Sequence, residues 1–169
     1  DSAYGHFGLI STETNIFELA LATAREFRAG LRSFSDINQL EVECGIALHI
    51  AKNCVVDTHI VSLSTQMGAK IQKSFDTSSA DIDLLHHMEK VVHRLPGSNI
   101  VMSKDFVAGL YKLRGHVVPL GSWAPATESK PIELFVLPSH SVQKEHIDNL
   151  QKFLSQSPTS SKAHVKKAA

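Results

Sequence analysis

A chain of 169 residues is one domain plus a little, long enough to bury a core without disulfide or metal staples. Hydrophobic residues make up 43% and charged residues 20%, the balance of an ordinary globular protein. Lys plus Arg equals Asp plus Glu at 17 each, so no global field recruits nucleic acid or an anionic membrane. The ten histidines are scattered rather than set at metal-ligand spacing. The neighbours His86 and His87 point in different directions if they lie on a helix. Cys44 and Cys54 are too few for a disulfide scaffold and sit in apolar surroundings, so they read as buried reduced thiols. No run approaches the length of a membrane span. The sequence opens on Asp rather than Met, which suggests that it begins inside a larger protein. The expected location is intracellular, either free or as the cytosolic part of a membrane-bound protein.

In chain order, Asp1–Ile10 reads as strand and turn. Thr14 or Asn15 then starts a helix, with Glu18 placed to reach back. Phe17, Leu21, Ala24, Phe27 and Leu31 form its apolar stripe, and Ser33–Asn38 is the expected loop out. Leu40–His49 is a strong strand, and Cys54–Leu63 is a second. With only Ile50–Asn53 between them, an antiparallel hairpin is expected. Ala69–Phe75 is a third, weaker strand.

Phe75–Leu95, FDTSSADIDLLHHMEKVVHRL, carries the strongest pattern. Leu84, Leu85, Met88, Val91, Val92 and Leu95 recur at spacings of three and four, which predicts an amphipathic helix. Ser79 or Asp81 can cap its start, and Pro96-Gly97 ends it. Asp83, His87 and Arg94 lie off the stripe. The result is a strand–loop–helix with an acidic loop at a helix N-terminus.

Asn99–Met102 is a short strand. Ser103 caps a helix over Lys104–Leu113, with Phe106, Val107, Leu110 and Leu113 facing inward. Arg114–Trp123 and Pro131–Leu137 are closing strands around the loop Ala124–Lys130. Ser139 or Ser141 caps a last helix with the stripe Val142, His146, Ile147, Leu150, Phe153 and Leu154. Residues 155–169 are polar and expected to be disordered. Strands alternate with helices, yet hairpins occur too. That combination favours an α+β protein, a mixed, mostly antiparallel sheet with helices packed on it.

Four pieces, in order, resemble the catalytic domain of class III nucleotidyl cyclases, the adenylyl and guanylyl cyclase family. DSAYGHFGL resembles the family's glycine-aspartate strand turn. LEVECGIALH resembles the strand that usually ends in Gly-Ile-His-Thr-Gly. FDTSSADIDLLHHMEK resembles the segment leading into the helix that ends in Arg-Met-Glu or His-Met-Glu. PGSNIVMSKDF, LRGHVVPLG and KPIELFVL resemble the closing part. The resemblance covers residues 1–138, lacking the first strand, with 139–154 as an added helix. It implies a ferredoxin-like cyclase fold and head-to-tail pairing with another cyclase-type domain, as homodimer or heterodimer. Two divalent metals, Mg²⁺ or Mn²⁺, would assist attack of the ribose 3′-hydroxyl on the α-phosphorus of ATP or GTP, as phosphoryl transfer demands.

Residue by residue, the resemblance places Asp1 at the second metal aspartate; the first would lie upstream. Asp76 matches the residue that accepts from the adenine amino group. Asp83 falls where base-reading domains carry the ribose-orienting asparagine, and His87 where they carry the phosphate-supporting arginine. Ala47-Leu48-His49-Ile50-Ala51 replaces Gly-Ile-His-Thr-Gly, and the expected lysine falls near Ala126. A carboxylate for an amide adds charge beside a triphosphate. Imidazole lacks the bidentate fork of guanidinium and is only conditionally charged.

Three readings follow: a cyclase-like domain that is not autonomously active and works by pairing; the metal-bearing half of an active heterodimer; and a non-catalytic α+β interaction domain. The last finds its support in the helix Ser141–Leu154, whose stripe is expected to dock on its own domain.

Overall fold

Residue Asn15 opens the first helix as the sequence requires. Its backbone is extended, and its side-chain oxygen accepts from the N–H groups of Phe17 (3.1 Å) and Glu18 (3.3 Å). The structure, a computed structural model, describes residues 15–51, 55–65, 68–78, 80–111, 116–125 and 130–156. The opening strand expected at Asp1–Ile10, Cys54, Leu113 and the tail from residue 157 lie outside the described residues.

Helix α1 spans Ile16–Asn38, running through Gly30 and through the expected loop Ser33–Asn38. Asn38 Nδ2 donates to the Phe34 carbonyl at 2.8 Å, and Gln39 stops the helix in a left-handed conformation (φ 54°). At about 1.5 Å per residue, α1 is about 35 Å long. The strand beneath it, β1 (Gly45–Leu48), is about 13 Å long. Only Ala20, Leu21 and Ala24 of α1 are buried. Phe27, expected in the core, is 57% exposed, and Ile37 is 80% exposed, because the second half of α1 overhangs the sheet.

The expected hairpin between Leu40–His49 and Cys54–Leu63 does not form. Instead β1 pairs in parallel with β4 (Asn99–Ser103), Gly45 opposite Asn99 and Leu48 opposite Met102. The second expected strand, β2 (Val55–Thr65), pairs antiparallel with β3 (Gly68–Ser78) from Val55↔Ser78 to Thr65↔Gly68. Only two residues of sequence separate β2 from β3, whereas a parallel partner for β1 requires a crossover. Helix α2 (Ala80–Val92) provides that crossover. It lies so close to β1 that a Cβ on Gly45 would sit 2.8 Å from the Glu89 carbonyl oxygen.

Ser103 caps the short helix α3 (Lys104–Ala108), its hydroxyl accepting from the Phe106 N–H. This helix ends earlier than expected, at Gly109, over which the Phe17 ring packs closely while meeting Phe106 edge-on at 5.5 Å. Strands β5 (Val118–Trp123) and β6 (Ile132–Leu137) complete a four-stranded sheet of order β1-β4-β6-β5, antiparallel apart from the β1–β4 pair. A bulge between Pro119 and Gly121, with Gly121 at φ 103°, lets Leu120 and Trp123 share a face although three residues apart.

Alternation then sorts the core into two clusters. Val101, Leu134 and Val136 face Met88, Val91 and Val92 of α2 and Ile147, Leu150 and Leu154 of helix α4 (Lys144–Gln156). Ile100 and Met102 face Leu21 and Ala24 of α1 and Phe106 and Val107 of α3. The protein is therefore α+β, with a mixed sheet and helices on both faces. The α4 stripe docks on its own sheet, and Gln151 Nε2 fastens it to the Pro119 carbonyl at 2.7 Å. Phe153, expected in that stripe, lies outward under the Arg94 guanidinium, 3.7 Å from the ring centroid. No helix among the described residues is long and apolar enough to cross a membrane.

Asn99 ties the turns together. Fully buried, it donates from Nδ2 to the carbonyls of Gly97 (2.6 Å), Pro96 (3.2 Å) and Leu95 (3.4 Å). Its Oδ1 accepts from the Ser139 N–H at 2.8 Å, and the Ser139 hydroxyl donates back to the Pro96 carbonyl. Ser139 is thus committed to this knot rather than to capping α4. Asn99→Ala strands several buried groups at once and is expected to lower stability by about 2–4 kcal/mol in urea unfolding. Gly30→Ala fills open space on an exposed helix and is expected to raise it by about 0.5–1 kcal/mol.

Candidate functional site

The parallel pair ends by delivering His49 and Ser103 side by side, one residue past Leu48 and Met102. The first turn of α2 brings Asp81 to the same place. His49 Nδ1 lies 2.8 Å from Ser103 Oγ, and Nε2 lies 3.5 Å from Asp81 Oδ1. The His49 side chain is 8% exposed and Ser103 only 2%.

His49 thus meets Asp81 through one ring nitrogen and Ser103 through the other, and the Ser103 hydroxyl oxygen also accepts from the Phe106 N–H at 3.4 Å. The residue types are those of a hydrolytic relay, but Ser103 is buried and aimed at α3, with no open face for a substrate. The trio therefore works as a brace, joining the ends of β1 and β4 to the starts of α2 and α3. Sequence reasoning saw Asp81 and Ser103 only as caps and His49 only as part of a degenerate turn. Pairing β1 with β4 was the missing information.

The brace holds the segment that carries the expected site. Asp76 lies on β3, its backbone opposite Asp57, two residues before that strand ends. Asp83 and His87 follow on α2, both exposed, and four residues apart they share one helical face. Met88 and Val92 hold the opposite side of the helix in the core. The structure thus brings Asp83 and His87 together on open surface. Asp1, expected to bind metal, and Ala126, at the expected lysine position, lie outside the described residues. Among the described residues no three His, Cys, Asp or Glu side chains converge as a metal site.

Cys44, at the other end of β1, is a free thiol, and its N–H donates to Ser98 Oγ at 3.0 Å. Burial pushes its pKa up, the hydrogen bond with Ser98 opposes this, and the Glu89 carboxylate adds to the rise. It is protonated at neutral pH and offers no thiolate nucleophile.

No protein-family model, curated protein or solved structure matches this chain.

Two measurements check this geometry. Ser103→Ala removes both the α3 cap and the hydroxyl partner of His49, and is expected to cost about 1–2 kcal/mol in urea unfolding. Asp81→Asn, whose amide can still pair with Nε2, is expected to cost less. Peptide mapping after iodoacetamide treatment at neutral pH is expected to show slower labelling of Cys44 in the native chain than in the urea-unfolded chain.

Proposed function

We propose that this chain is a class III nucleotidyl cyclase-like domain that does not cyclise nucleotide alone and acts by pairing with another cyclase-type domain in cyclic nucleotide signalling. One observation carries the reading. The strand–loop–helix from Asp76 to His87 is formed, and its Asp83 and His87 share an exposed face on a helix braced at its first turn. At those positions the family's base-reading domains carry an amide and a guanidinium, and here stand a carboxylate and an imidazole.

The energetic consequence follows from charge. A second carboxylate beside a triphosphate repels it, and imidazole supplies a weaker, single-pronged donor than guanidinium. Losing one transition-state donor costs roughly 10²–10³ in rate, so two such changes nearly silence a site built from this chain only. Asp76 would accept from the adenine amino group, and Asp1 would hold Mg²⁺ or Mn²⁺, hard cations that take oxygen ligands.

A second reading is favoured by the same face. In paired cyclases the metal-bearing half carries His at the position matching His87, so this chain would be that half of an active heterodimer, with arginine, asparagine and lysine from its partner. Both readings put nucleotide on the outer face of α2.

Incubated alone with ATP or GTP and Mg²⁺ or Mn²⁺, the chain is expected to form no cyclic nucleotide above buffer; clear turnover contradicts the proposal. Calorimetric titration with ATP–Mg²⁺ tests the site itself. Asp83→Asn/His87→Arg is expected to bind about tenfold tighter than wild type, a change of about 1.4 kcal/mol. Absence of nucleotide binding by both proteins would favour a non-catalytic interaction domain.

A further inference from the structure

The overhanging half of α1 forms one wall of an open space. A cleft of about 1050 Å³ lies between this helix, residues 39–43 before β1, the turn at Gly97 and Ser98 before β4, and residues 139–141 after β6. It sits at the edge where β1 and β4 begin, the opposite edge from His49 and Ser103, and is large enough for a small metabolite.

Its chemistry is set by Arg25 and Arg28, one turn apart on α1. Arg28 is half-buried, and its Nη1 donates to the carbonyls of Leu137 (3.1 Å) and Pro138 (3.3 Å). Those bonds anchor the guanidinium beside the 139–141 turn and leave its other N–H groups uncommitted, since five donors are available. Neither arginine has a carboxylate within ion-pair reach among the described residues. Burial, and after it the like charge of Arg25, lowers the Arg28 pKa. Two adjacent guanidiniums thus repel one another where a bound anion would relieve both.

His140 and Ser141 line the cleft beside Arg28 and add groups that can donate, while Ser98 is engaged with Cys44. The carboxylates along the cleft divide in two. Glu43 accepts from the Gly97 N–H at 2.7 Å and Asp36 pairs with Arg32 at 4.0 Å, so both are engaged. Glu26 and Glu41 are not, and their charge excludes an extended polyanion such as nucleic acid.

We propose that this cleft binds a small phosphate-bearing molecule, its phosphate held by Arg25, Arg28 and His140. Arginine's planar fork suits phosphate oxygens, and all three side chains line the same cleft. This inference is independent of the nucleotide reading, which concerns the far edge of the sheet.

Inorganic phosphate titrated into the full, ¹⁵N-labelled chain at constant ionic strength tests it. Saturable amide shifts centred on Gly97, Ser98 and Ser141 are expected. Arg25→Gln, an exposed change, is expected to weaken the affinity about tenfold. His140→Ala is expected to weaken it less, and Lys104→Gln on α3 not at all. Shifts that are absent, that spread without saturating, or that persist undiminished in Arg25→Gln would overturn the proposal.

Discussion

The parallel pairing of Gly45–Leu48 with Asn99–Met102 is the constraint from which the rest of this molecule follows. A parallel pair needs a crossover, so α2 must span one face of the sheet, and it does so closely enough that residue 45 can only be glycine without displacing the Glu89 backbone. The same pairing gives the sheet two distinct ends. Where β1 and β4 end, His49 and Ser103 meet and capture Asp81. Where they begin, Asn99 gathers the Pro96-Gly97 turn and Ser139 into one hydrogen-bonded knot.

Each end places charge in a different way. At the first, the His49–Ser103–Asp81 brace fixes the start of α2 and leaves Asp83 and His87 exposed on its outer side. Such a network is costly if half satisfied, and among the described residues no buried side-chain polar atom lacks a partner, so the trio specifies position rather than chemistry. At the second, the arginines of α1 stand over an open cleft because the helix outruns the strand below it. Helix length, set by the left-handed stop at Gln39, therefore creates that space.

Local signals were legible in the sequence and non-local ones were not. Asn15 as a cap, the stripe of α2, the Ser103 cap and the fastening of α4 to its own domain all rest on contacts within a few turns or on a clear 3.6-residue period. The hairpin expected between β1 and β2 does not form, because a short connection permits pairing without requiring it. The even closer β2–β3 connection competed for the same strand and won. The Gly30 penalty, about 1 kcal/mol, did not break α1. The bulge that aligns Leu120 with Trp123 leaves no trace in periodicity. The same holds for the candidate residues: Asp83 and His87 are singled out by the family resemblance and fall on a helix that the periodicity predicts, while His49, Asp81 and Ser103 meet only through the sheet.

The central claim is that the braced outer face of α2 receives nucleotide. Paramagnetic broadening by Mn²⁺–ATP, mapped on the ¹⁵N-labelled chain, reads it directly. The account predicts nucleotide-dependent loss of amide signal around Asp81, Asp83 and His87, with the amides of Gly97 and Ser141 retained. Broadening absent from α2, or confined to the Gly97 and Ser141 edge, would contradict it.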